Sequence, residues 1–134
     1  MKSWIYRWGP AILVMTIIFV ASDTPGSSLP EFGYCDLLAK KGGHMLGYAL
    51  LAASYYRAFG RKQHTPRRRF LLALGLTIFY AALDEYHQTF TPGRNASPID
   101  VAIDALGGLI GIALIQWIQR RFSCNPEIRK RKTA

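Results

Sequence analysis

An all-α, polytopic membrane bundle of four helices, with both termini cytoplasmic, is the fold this sequence predicts, and three observations predict it. Half of the residues are hydrophobic although the chain carries a formal charge of +9, so its apolar and charged residues are segregated. The apolar residues gather in windows near 4–22, 41–59, 70–88 and 99–119, each close to the roughly 20 residues a helix needs to cross a hydrocarbon core. The breakers fall between the windows: Pro25, Gly26 and Pro30, then Pro66, then Pro92 and Gly93. One transmembrane domain, 1–122, and a basic cytoplasmic tail, 123–134, account for the chain.

The first window, Trp4 to Ser22, carries Pro10, an early kink that lipid tolerates. It also fits a secretory signal, with Lys2 and Arg7 as the basic flank and Val20, Ala21 and Ser22 as a cleavage site. The other three windows keep their charge flanks under either reading. The second window opens with Lys41, His44 and Tyr48, at three- and four-residue steps that share a helix face. The third is rich in Leu and Ala, has no proline inside, and ends in Asp84, Glu85, His87 and Gln88. The fourth begins Ser97-Pro98-Ile99-Asp100, which reads as an N-cap, a proline at the first helical position and a carboxylate reaching back as in a capping box. Its Gly107, Gly108 and Gly111 form a small-residue strip that lets helices approach closely.

Orientation follows from the cations. With a cytoplasmic N-terminus, all but three of the 17 Lys and Arg lie on the cytoplasmic side, leaving Lys40, Lys41 and Arg94 outside. Topology and attraction to anionic inner-leaflet lipid explain the basic excess, so no nucleic-acid partner is expected, and the bilayer is the first partner. Cys35 then lies outside and Cys124 inside, where they cannot pair. Neither has the neighbours of a zinc site.

The polar residues now fall into one place. Ionisable side chains inside a membrane segment cost about 2.5–3.5 kcal/mol each on insertion scales, so the hairpin from Leu83 to Gly111 is the most informative part of the chain. The third helix runs outward and the fourth inward, which brings Asp84 and Gln88, four apart on one face, opposite Asp100 and Asp104. Lys41, His44 and Tyr48 begin the second helix on the same side. Glu85 and His87 cannot both share the face of Asp84, and one of them is expected at the headgroups. Asp104 lies too deep to cap its helix, so a partner such as Arg94 or His44, or a metal, is expected for it.

Lys41-x-x-His44-x-x-x-Tyr48, Asp84-Glu85-x-x-Gln88-x-Phe90, Pro92-Gly93-Arg94 and Asp100 before a glycine-rich helix together resemble the VanZ-like family of small bacterial membrane proteins. The resemblance covers roughly 22–111. It implies a multi-pass protein of the bacterial cytoplasmic membrane, and the family's namesake is associated with teicoplanin resistance. No established reaction comes with it. In the family pattern an asparagine stands where this chain has Asp104, so the chain adds a carboxylate.

Two function classes remain open. In the first, an enzyme acts on a lipid or lipid-linked cell-wall precursor: Asp84, His44 and Asp104 move protons, Lys41 and Arg94 hold a phosphate or carboxylate, and Tyr48, Glu85, Gln88 and Asp100 complete the ligand site. A divalent cation such as Mg²⁺ is the candidate cofactor at the carboxylates. In the second, the same residues bind a headgroup, wall peptide or antibiotic without reacting, or line a channel-like path between chains. At 134 residues transport would need a homo-oligomer.

Overall fold

Four helices carry the described chain: α1 (Lys2–Ser22), α2 (Tyr34–Ala58), α3 (Pro66–Gln88) and α4 (Pro98–Ser123). They are seen in a computed structural model that describes residues 2–23, 34–60, 63–92 and 97–123. All four helices begin before their apolar windows, α2 and α3 by the most. α2 starts at Tyr34, ahead of Lys41. α3 starts at Pro66, which serves as its first residue: Thr65 is the N-cap, its Oγ1 accepting from the Arg68 N–H.

Contacts between helix ends fix the topology. Arg7 near the start of α1 meets Ala58 at the end of α2, Ser22 at the end of α1 meets Asp84 near the end of α3, and Lys41 in α2 meets Asp100 in α4. So α1 and α3 run one way and α2 and α4 the other, an up-down-up-down bundle. α2 packs against all three partners, most extensively against α4, whereas α1 and α4 do not approach each other among the described residues.

Around a hydrophobic core that includes Tyr48, Leu51, Ala52 and Ile112, burial departs from that of a water-soluble bundle. Large apolar side chains such as Leu13, Val20, Phe79, Leu114 and Trp117 are exposed, while Ser22, Thr77, Asp84, Glu85, Gln88 and Asp104 are buried. Two helices, over Trp4–Ser22 and Pro98–Phe122, are long and apolar enough to cross a membrane, and only 17% and 28% of those stretches are buried. A soluble core helix would hide most of its apolar surface; these present it outward, as a lipid-facing helix does.

The arginine-rich end has structural tasks that charge counting did not reveal. The last four carbonyls of an α-helix have no intrahelical donor, and in α2 all four are met. Tyr55 O accepts from Phe59 N–H and Arg57 O from Gly60 N–H, whose φ of 53° turns the chain away. Tyr56 O accepts from the buried Arg69, at 2.8 Å from Nη2, and Ala58 O from Arg7, at 2.7 Å from Nη2. The Arg69 guanidinium also lies 3.9 Å from the centroid of the Tyr56 ring. Pro10 has no N–H, so Tyr6 O loses its helical donor; Arg57 Nη2 replaces it at 2.7 Å.

Candidate functional site

At the opposite end of the bundle three helices converge on one carboxylate. Asp84 is 5% exposed. Its Oδ2 accepts from Ser22 Oγ at 2.8 Å, from Tyr48 OH at 3.1 Å and from Gln88 Nε2 at 3.1 Å. Gln88 reaches it because residues four apart stack on one helix face; Ser22 and Tyr48 reach it from α1 and α2. The other oxygen, Oδ1, is buried and has no hydrogen-bond partner.

Around Asp84 the sequence-predicted residues are placed as follows. Tyr48 is fully buried, and His44 stacks against its ring at 6.3 Å between centroids. Asp104 is 3% exposed and lies in electrostatic reach of Asp84, Glu85, Asp100 and Lys41. Lys41 Nζ is 2.6 Å from Asp100 Oδ1, a half-exposed ion pair at the rim. Arg94, expected to share a ligand with Lys41, lies outside the described residues.

Two local expectations need correcting. The capping box at the start of α4 does not close through Asp100, because the Ser97 backbone N–H donates to Glu85 Oε1 at 2.5 Å and Asp100 turns to Lys41. Ser97 still caps through its hydroxyl, which accepts from the Ile99 N–H at 3.2 Å. Glu85 is therefore buried and ties the ends of α3 and α4 together, while His87 packs on Phe19 with centroids 4.8 Å apart. The second correction concerns Ser22. A lone serine ending an apolar window carries no signal by itself, yet it is fully buried and holds Asp84. Removing α1 would strip one of three donors from the site.

The α2–α4 contact sets the depth at which these residues meet. A Cβ on Gly107 would lie 2.4 Å from Met45 O, and one on Gly111 2.0 Å from Ala49 O. Only glycine permits backbones this close, and the resulting register brings Lys41 to Asp100 and Tyr48 to the level of Asp104. Among the described residues no group of three or more His, Cys, Asp or Glu is arranged to hold a metal ion.

A family model described as VanZ/LLP1 matches residues 8–119, and the chain belongs to that family. The match and the two outward-facing apolar helices indicate a VanZ-like membrane protein. Comparison with curated proteins found no match, and comparison with solved structures found none either.

Proposed function

We propose that this member of the VanZ/LLP1 family crosses the bacterial cytoplasmic membrane four times, termini inside, and recognises the headgroup of a lipid or lipid-linked cell-envelope component near the outer surface. One observation carries the reading: three helices bury polar side chains around Asp84 at the end of the bundle away from the arginines, behind an apolar exterior. Buried polar groups in a membrane are costly unless used. A carboxylate with one oxygen saturated and the other bare is a fixed acceptor for a ligand.

Recognition is favoured over catalysis by the same geometry. Three donors on Oδ2 hold Asp84 still, and Lys41, one of the two cations proposed to grip a phosphate, is committed to Asp100. A polar path between chains would be read as ion leakage that Asp84→Asn abolishes. Should the recognised component be a wall precursor, the family's association with teicoplanin would extend to this chain, and the susceptibility of cells with and without the gene would show it.

The test compares lipids and lipid-linked wall precursors in cells carrying the wild type, the Asp84→Asn variant or no gene. The expected result is one species altered in the null strain, restored by wild type and left unrestored by Asp84→Asn at equal protein abundance. Unchanged profiles in all three strains would remove the reading. Orientation is checked separately with an impermeant maleimide on spheroplasts, which should label Cys35 and spare Cys124; labelling of Cys124 alone would reverse the topology.

A further inference from the structure

The buried face of the site is short of donors. Asp84 Oδ2 has three, all uncharged and each from a different side chain, but Oδ1 has none although the residue is 5% exposed. Asp104, 3% exposed, lies within electrostatic reach of Asp84. Lys41, whose charge reaches Asp104, sits at the rim on Asp100. Two buried carboxylates thus lie within electrostatic reach of each other, and on one of them a buried oxygen, Asp84 Oδ1, accepts nothing.

Resting on the recognition reading above, we infer that the group completing this site is a primary ammonium, received between Asp84 Oδ1 and the Asp104 carboxylate. An ammonium is a compact charge with three donors and no acceptor, which suits acceptors on two different helices. Divalent cations fit less well: they take six or more oxygens or keep several waters, and the described residues offer no three-ligand group. A guanidinium prefers both oxygens of one carboxylate in a fork, and here Oδ2 is already saturated. Ionised phosphate diester and carboxylate groups bring no hydrogen-bond donor to the bare Asp84 Oδ1. Both an amino-headed phospholipid and the free amine of a lipid-linked wall peptide carry the required chemistry.

The experiment follows thermal unfolding of the purified full-length chain in a neutral detergent by tryptophan fluorescence. Added probes are short-chain phosphatidylethanolamine, phosphatidylcholine and phosphatidylglycerol, and a soluble lysine-containing tripeptide. Phosphatidylethanolamine or the tripeptide should raise Tm, whichever does so identifying the source. Phosphatidylcholine, whose quaternary nitrogen has no N–H, and phosphatidylglycerol should not. Asp84→Asn and Asp104→Asn should each weaken the amine response tenfold or more. The two variants are judged only if their helical circular dichroism matches wild type, and Asp104→Asn alone decides if Asp84→Asn does not fold.

An equal, Asp84-dependent response to phosphatidylglycerol or phosphatidylcholine would overturn the ammonium assignment while leaving lipid recognition in place. Stabilisation by Mg²⁺ or Na⁺ that disappears in Asp84→Asn would overturn it in favour of a metal. So would an Arg94→Gln variant that reproduces the Asp84→Asn Tm while no amine has any effect, since the acceptor would then belong to an internal cation. No response to any lipid class, with unchanged cellular profiles, would remove the recognition reading itself.

Discussion

Adding one methyl group to Gly111 should separate two helices and disturb the polar site at the same time. The new Cβ would stand 2.0 Å from Ala49 O, 2.6 Å from its carbonyl carbon and 2.8 Å from its Cα. Ordinary contact begins near 3.4 Å, so α2 and α4 must part by roughly 1.4 Å at this point. The obstructing atoms are backbone, and no rotamer change can relieve them. Overpacking of this kind costs about 1–3 kcal/mol. Against it stands the better helix propensity of alanine, worth about 1 kcal/mol. Gly75 supplies the control, because a Cβ there meets nothing within 4 Å and only the propensity gain remains. Gly75→Ala should therefore hold or raise stability, and Gly111→Ala should fall below it by about 1–3 kcal/mol, measured by reversible unfolding in mixed micelles with increasing SDS. A parting of α2 and α4 also lengthens the 2.6 Å Lys41–Asp100 pair, so Gly111→Ala should lose function where Gly75→Ala keeps it. Equal unfolding midpoints for the two variants would refute the close approach of α2 and α4, and with it the register that assembles the site.

Other consequences are smaller or more local. Arg57→Ala should cost about 0.5–1.5 kcal/mol by leaving Tyr6 O without a donor, and the cost should shrink in a Pro10→Ala background, where residue 10 regains its N–H; a double-mutant cycle reads the coupling, and strict additivity would break the link. Ser22→Ala removes one of three donors from a buried carboxylate and should cost about 1 kcal/mol, with the ligand response weakened but present; an unchanged SDS midpoint would place Ser22 outside the site. The Lys41–Asp100 pair is half-exposed, and such pairs contribute about 0–1 kcal/mol. Lys41→Gln should therefore leave the SDS midpoint nearly unmoved, and a large drop would show that the pair carries far more of the fold than its exposure allows.

Much of the architecture was legible because periodicity, breakers and charge flanks are local signals. The four helices, the pairing of Asp84 with Gln88, and the gathering of Lys41, His44, Tyr48, Asp100 and Asp104 toward one end all follow from spacing along helices and the order in which they reverse. Helix starts were less legible. Pro66 follows the N-cap Thr65, so capping and not hydropathy sets the boundary of α3. The family was legible for another reason: its motif residues stand at fixed spacings along the chain, and the family model matches residues 8–119.

Sequence alone thus determined which residues are apolar, which end of each helix is polar, and that the two ends differ in charge. Only the tertiary structure decided who bonds to whom. Ser22 joined Asp84 across 62 positions, Glu85 took the Ser97 N–H that the local motif assigns to Asp100, and Arg7, Arg57 and Arg69 proved to be donors to helix carbonyls as well as topology signals. The physical reason is the range of the forces. Helix periodicity and capping act within a turn or two, whereas hydrogen-bond partners of buried groups are chosen by whichever helix packs nearest. Here that packing is set by the glycines of α4, which let its backbone sit directly against α2.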